Sequence, residues 1–302
     1  AENVDFRNCV VYNCGNGCYG GPGGGQINMV NNYFKTGPAK KTSSITTASV
    51  ANSTSSKDDN IYWTMFSRYY INGNQLDNTA NADWSKVNYD SGTYLINGEH
   101  HTPDPNHYYG EDVTYVKNSS GTDCVSMVLK EPAPMGEITT HTAANAYDKV
   151  LQFAGASLYQ DNVDARYFSE TKAGTCTYKG SATSYEKDGK TYSCTPTWGR
   201  IDKVSDVNGY TEETFGTGSR PDGFDSDNDG IADAWETANG LNPNDASDAK
   251  TYTLDPKGWY TNIEVYANSL VEDIMKAGNA DATESVDEYY PAVVSSIENT
   301  PA

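Results

Sequence analysis

The stretches Phe6-Arg-Asn-Cys-Val-Val-Tyr-Asn13 and Met29-Val-Asn-Asn-Tyr-Phe-Lys-Thr36 begin 23 residues apart, and each carries an asparagine two residues in, at Asn8 and Asn31. Between them lies Cys14-Gly-Asn-Gly-Cys-Tyr-Gly-Gly-Pro-Gly-Gly-Gly25, a loop sequence. A fixed offset between like residues is what successive coils of a parallel β-helix give, where equivalent side chains stack in ladders. A β-hairpin closed by a glycine-rich loop is the alternative. A coil cannot bury both of its open edges without a neighbour or a cap, so a chain that starts inside a strand is expected to continue a larger protein. Ala1-Glu-Asn-Val has neither the charged start nor the apolar run of a signal peptide.

Further along, residues 36–60 are polar, without helical period, and read as an excursion or an irregular coil. Residues 61–76, IYWTMFSRYYINGNQL, predict two strand segments ending at the Asn72-Gly-Asn turn, and VTYVK at 113–117 and VSMVL at 125–129 predict two more strands. His100, His101 and His107 lie in HHTPDPNHYYG, read as a surface loop because of Pro103 and Pro105. Asn52-Ser-Thr and Asn118-Ser-Ser are glycosylation sequons and indicate exposed loops. Thr142 is placed to cap a helix with Ala146, Tyr147, Val150, Leu151 and Ala154 on one face and Gly155 at its end; a second short helix follows Asp161. Residues 174–199 read as a loop. Of six cysteines (Cys9, Cys14, Cys18, Cys124, Cys176, Cys194), Cys176 and Cys194 are spaced for a bridge. GTGSRPDG at 216–223 reads as a linker, and Ile263, Tyr266, Ala267, Leu270, Val271 and Ile274 mark one face of a last helix from about Thr261. The final 24 residues are acidic and expected to pack loosely.

The chain has 302 residues, 36% of them hydrophobic, with 21 Lys+Arg against 41 Asp+Glu and a net charge of −20. No run approaches the roughly 20 apolar residues of a membrane span. Such a negative field repels phosphate backbones, which argues against a nucleic-acid partner, and it also repels an acidic polysaccharide unless cations intervene. Twenty-three Tyr and 27 Gly describe a polar, turn-rich secreted β protein.

Asp225-Ser-Asp-Asn-Asp-Gly-Ile-Ala-Asp-Ala-Trp-Glu236 fits D-x-D-x-D-G-x5-E. That spacing wraps hard oxygens around one Ca2+: the side chains of Asp225, Asp227 and Asp229, the Ile231 carbonyl, Asp233 directly or through water, and a bidentate Glu236. Gly230 permits the turn. A closed shell of protein ligands implies a structural ion, and Asp245 and Asp248 in LNPNDASD are candidates for a second one.

NVDFRNCVVYNCGNGCYGG, GQINMVNNYFKTGPA, RYYINGN (68–74), HTAANAYDKVLQFAGAS (141–157), DNVDAR (161–166), DSDNDGIADAWETANGLNPND (225–245) and GWYTNIEVYANSL (258–270) together resemble the late coils, cap and calcium module of secreted pectate lyases of polysaccharide lyase family 1, in the form found in Bacteroides-type bacteria. The resemblance implies β-elimination on an acidic polysaccharide, with calcium on the uronate carboxylate and an arginine as base. It also implies secretion to the extracellular space, periplasm or cell surface of a bacterium. The family's R-x-P-x-x-R motif does not occur here; Arg220-Pro221 lies in the linker. No catalytic residue is therefore assigned, and whether the chain is an enzyme by itself is left open. Arg7 is the candidate substrate contact, with a ladder or salt-bridge role as the alternative.

The expected fold is mainly β: right-handed parallel β-helix coils with a loop-and-helix cap over 1–215, a linker at 216–223 and a calcium-binding helical module with an acidic tail over 224–302. The expected function is the C-terminal part of a calcium-dependent pectate lyase, inactive alone, whose partners are pectate and its own N-terminal half. The alternatives are a non-catalytic secreted glycan-binding or cell-surface interaction protein, and a subunit that completes an active site with a separate chain.

Overall fold

The computed structural model describes residues 2–14, 19–20, 25–39, 43–48, 67–83, 86–89, 94–96, 99–104, 115–117, 123–126, 128–209 and 220–294. Both glycosylation sequons, His107, Cys18 and residues 216–219 of the predicted linker lie outside them. The chain divides into two compact units: residues 1–156, 160–211 and 282–284 form the first, and 157–159, 212–281 and 285–302 the second. No described helix is long and apolar enough to cross a membrane.

Nine strands organise the first unit. They are β1 (Glu2–Arg7), β2 (Val10–Tyr12), β3 (Tyr19–Gly20), β4 (Gly25–Val30), β5 (Tyr33–Lys35), β6 (Thr46–Ala48), β7 (Ser67–Asn72), β8 (Gln75–Leu76) and β9 (Val87–Tyr89). Every third strand is a parallel neighbour of the last, giving three sheets in the orders β1-β4-β7, β2-β5-β8 and β3-β6-β9. The predicted offset is the observed register: Phe6 pairs with Met29 and Met29 with Ile71. Parallel strands buried on both faces need not alternate strictly in polarity, and β4 runs Ile27, Asn28, Met29, Val30 with all four buried.

Between the first and second sheets the chain turns in two residues, three times over. Asn8 (φ 52°), Asn31 (φ 53°) and Gly73 (φ 71°) take the left-handed conformation at equivalent places, which asparagine and glycine adopt at least cost. At Gly73 a β-carbon would also fall 1.8 Å from Asn31 Oδ1. At the second and third corners the following residue, Asn32 or Asn74, is buried. Asn32 Oδ1 accepts from Cys9 N (3.0 Å), while Asn74 Oδ1 accepts from Asn32 N (3.1 Å) and Asn32 Nδ2 (2.9 Å). Asn32 Nδ2 donates to Phe6 O and Asn74 Nδ2 to Met29 O. Asp83 closes the stack, accepting from Gly73 N, Asn74 N and Asn74 Nδ2. Asn32 and Asn74 are fully buried beside Ile27, Met29, Phe34 and Tyr69.

A further four-stranded sheet, β10 (Tyr94–Ile96), β11 (Glu99–Asp104), β13 (Asp123–Ser126) and β12 (Tyr115–Lys117), mixes antiparallel pairs with a parallel β11–β13 pair. Strand β11 passes through His100, His101 and Pro103, so this part of the predicted loop is strand; a proline is tolerated where its missing N–H is not required. Helix α1 (Ala143–Phe153) is capped by Thr142, which accepts from Asn145 N. It packs Tyr147 on Tyr33 at 4.4 Å between ring centroids. Helix α2 (Asn162–Ala173) is capped by Asp161 and closed by Gly174. The predicted loop at 174–199 contains an antiparallel hairpin, β14 (Ser184–Lys187) and β15 (Lys190–Ser193). The expected Cys176–Cys194 bridge is absent: both are free thiols. Asn13 Nδ2 donates to Cys176 Sγ, and Cys194 Sγ donates to Ala182 O. Sequence spacing carries no information on where those side chains point. Cys14 is disulfide-bonded.

The second unit is built on α3 (Asp233–Asn239), a 3-10 turn (Asp248–Lys250) and α4 (Asn262–Asn279). Thr261 and Glu264 form a reciprocal capping box at the start of α4. Ile231, Trp235, Ala249, Val265 and Tyr266 make the core. The acidic tail is held more closely than its composition predicts: Val293 packs on this core, Tyr289 Oη donates to Asp255 and Val294 N to Asn239 Oδ1.

The corner stack yields a stability prediction. Replacing Asn74 by alanine strands two buried donors of Asn32 and the carbonyl of Met29, and the cost is expected at about 2–4 kcal/mol. Urea unfolding of the wild type and the variant measures it. A loss below about 1 kcal/mol would mean that water reaches the stack.

Candidate metal centre

The loop before α3 and the 3-10 turn at 248 bring five carboxylates together. They form two groups that share Asp229: one oxygen each from Asp225, Asp227 and Asp229 lie within 4.8 Å of one another, and so do one each from Asp229, Glu236 and Asp248. That is about the span of two oxygens on opposite sides of one Ca2+ at about 2.4 Å. The chain folds this way because Asn228 (φ 61°) and Gly230 (φ 100°) allow a tight reversal, and Asp225 accepts from the N–H groups of Asp229 and Gly230. Ile231 N donates to Asp229 Oδ1 (2.7 Å) while the Ile231 side chain is fully buried in the core.

Asp227 Oδ2, Asp229 Oδ2, both Glu236 oxygens and Asp248 Oδ1 are buried without a hydrogen-bond partner. Five orphaned carboxylate oxygens on four neighbouring acids are strongly unfavourable unless a cation or a proton neutralises them. The protein's response without a cation is visible in its acid strengths. Burial, reinforced by the charges of Asp229, Asp227 and Asp248, pushes the Glu236 carboxyl up to about 7. Burial and the charges of Asp227, Asp225 and Asp248 also raise Asp229, against the opposing pull of the Ile231 N–H. An all-oxygen donor set suits a hard divalent ion.

Asp233, expected to act directly or through water, is not in either group of clustered oxygens; its oxygens accept from Ser226 N (2.7 Å) and Ser226 Oγ (2.5 Å), which ties down the loop's first residues. Asp248, expected with Asp245 at a second ion, instead groups with Asp229 and Glu236. Its Oδ2 accepts from Asn242 N, leaving Oδ1 free to face Asp229 and Glu236. Asp245 hydrogen-bonds Ser247. The buried Asn262 then donates to Asp248 O, Thr251 Oγ1 and Thr253 Oγ1, linking the cluster to the start of α4.

Arg7, the candidate substrate contact, is largely buried and engaged. Its Nε and Nη2 donate to the two oxygens of Asp5 (3.0 and 3.1 Å) and Nη1 to Thr140 Oγ1 (2.9 Å), with Glu284 at 3.8 Å. Asn28 Nδ2 donates to the same Asp5.

A pH dependence follows from Glu236. In a chelator, folded Glu236 keeps its proton to about pH 7, whereas the unfolded chain releases it near 4.3. The folded state therefore binds more protons in that window, and metal-free stability is highest at its acid end and falls as pH rises through 7. The shift corresponds to about 4 kcal/mol. Hydrogen exchange of the α4 amides in EDTA between pH 5 and 8, corrected for intrinsic rates, reads it. Protection that is flat or rises with pH would show that Glu236 is solvated.

No protein-family model matches the chain, and no solved structure matches it. Among curated proteins, it is 27% identical over 271 residues to the probable pectate lyase C of Aspergillus flavus, covering 88% of this chain and 48% of that protein. The corresponding Aspergillus oryzae protein gives the same values, and that of Aspergillus terreus is 26% identical over 281 residues. The chain spans about half the length of the curated relatives it matches. Distant similarity over most of its own length therefore supports a pectate lyase-like relationship for this chain.

Proposed function

We propose that the chain is the later part of a secreted, calcium-dependent pectate lyase-like polysaccharide lyase. In this reading residues 1–215 form coils of a right-handed parallel β-helix with its cap, 216–223 a linker and 224–302 a calcium-stapled module. The observation that carries it is the likeness to probable pectate lyases over 88% of the chain, which falls on strands that return as parallel neighbours every third element. The substrate class is an acidic plant polysaccharide. β-Elimination on such a polymer takes the C5 proton of a uronate ring and breaks the C4–O bond, leaving an unsaturated product. A divalent cation on the uronate would neutralise its charge, which a chain of net charge −20 needs.

Arg7 is assigned here to bracing the β1 edge against Thr140, since its guanidinium is already shared with Asp5. With no R-x-P-x-x-R in the sequence, the base is proposed to come from a segment outside these residues, and the chain alone is inactive. The same missing motif favours, as a second reading, a non-catalytic glycan-binding protein. Extracellular, periplasmic or cell-surface location in a bacterium belongs to the first reading and rests on the sequence resemblance.

Calcium is assigned to Asp225, Asp227, Asp229, Glu236 and Asp248, with the Ile231 carbonyl as the expected backbone ligand. A site filled at 100-fold over its dissociation constant adds about 2.7 kcal/mol to the folded state. Calorimetric titration is expected to show Glu236→Gln and Asp248→Asn weakening calcium at least about tenfold, or about 1.4 kcal/mol, and Asp233→Asn weakening it less. The reverse order would sink the ligand assignment. For the chemistry, the assay is the ultraviolet absorbance of unsaturated uronate released from polygalacturonate with calcium at alkaline pH. The chain alone is expected to give none and the longer protein that contains it a sustained rise. A longer protein that binds without cleaving would replace the lyase reading by the glycan-binding one.

A further inference from the structure

The loop before α4 presents an aromatic ring in an unusual way. Asp255 is only 3% exposed, and its carboxylate accepts from Lys257 N (2.9 Å), Trp259 N (2.7 Å), Tyr260 N (2.9 Å) and Tyr289 Oη (2.5 Å). Those bonds hold the carboxyl group down to about 2 despite its burial. A buried charge satisfied four times over is a costly anchor, and what it anchors is a side chain that faces water: Trp259 is 63% exposed. The Trp259 ring meets Tyr289 edge to face at 5.4 Å. Lys257 Nζ lies 4.4 Å from the Trp259 ring centre and 3.8 Å from that of Tyr289. Among the described residues Lys257 forms no ion pair, in a chain with a twofold excess of acids over bases.

We propose that Trp259 and Lys257 form a binding platform for uronic-acid saccharides on the second unit, separate from the metal centre. The inference rests on the reading that the protein acts on an acidic polysaccharide. The C–H face of a pyranose ring packs on an open indole, a flat apolar partner with little rotamer entropy to lose. A neutral sugar needs only the ring. A uronate also brings a carboxylate, and the Lys257 ammonium beside the ring, without an ion-pair partner among the described residues, supplies its charge complement. The Asp255 anchor fixes the loop before the ligand arrives, so that binding carries little ordering cost.

Affinity electrophoresis of the complete 302-residue chain, at constant calcium, in gels containing polygalacturonate or neutral galactan tests this. Wild-type protein is expected to be retarded more by polygalacturonate. Trp259→Ala should weaken retardation at least about tenfold, the scale of a lost tryptophan hot spot. Lys257→Gln should erase the preference for the uronate polymer and Lys257→Arg should keep it. Both side chains are surface groups, and melting in calcium confirms that each variant is folded. Retardation of Trp259→Ala equal to wild type would overturn the platform while leaving the lyase-like reading untouched, since that reading is judged by product release from the longer protein. Loss of preference in Lys257→Arg as well as Lys257→Gln would also overturn it, because the charge would not be the determinant.

Discussion

The carboxamide of Asn32, hydrogen-bonded to Cys9 and Phe6 on one side and to Asn74 on the other, fixes the first unit. A buried carboxamide must find partners for both its oxygen and its nitrogen. In the interior those partners can only be the equivalent positions of the strands above and below. Any slip of one residue between β1, β4 and β7 would strand several buried polar groups at once. It would also turn Ile27, Met29 and Ile71 off the inner face. Hydrophobic burial makes the stack stable, and the asparagines make it single-valued. The neighbouring left-handed corner residues Asn8, Asn31 and Gly73 let the chain change direction within two residues, so the inward position recurs at the same height on every pass.

The second unit obeys an opposite electrostatic logic. In the first unit the buried carboxamides of Asn32 and Asn74 are matched by partners on neighbouring strands. In the second unit both oxygens of Glu236 and one each of Asp227, Asp229 and Asp248 are buried without a hydrogen-bond partner, and the fold brings these acids of like sign together. Asp255, a short distance along the chain, shows how this protein treats a carboxylate that it does satisfy: four donors and a carboxyl held far below its usual range. The two acids contrast sharply, one overprovided with donors and one starved of them.

Local features were legible in sequence. The clustering of Asp225, Asp227 and Asp229, the Thr142, Asp161 and Thr261 caps and the Phe6-to-Met29 offset each depend on residues within one short stretch. Features that depend on the return of a distant segment were not legible. Gly73 belongs with Asn8 and Asn31, but it comes 42 residues after Asn31 and is a different residue type. Asp248 reads as part of another acidic pair until the 241–248 turn folds back on Glu236. The Cys176–Cys194 pairing failed because spacing gives a loop length but no side-chain direction, and Asn13 and Ala182 claim the two thiols.

The unequal lengths of the passes have a consequence for how such a protein can change. From Phe6 to Met29 the chain takes 23 residues, and from Met29 to Ile71 it takes 42, yet the two strand pairings are equally regular. Register is set at the two-residue corner after each long strand, and the extra length enters after it. Loop-closure entropy grows only with the logarithm of added length, so new segments can be spliced into the far side of a pass at small thermodynamic cost. The architecture thus divides its sequence into a part under tight constraint and a part free to diverge. Variation in recognition can accumulate there while the scaffold that carries it stays in step.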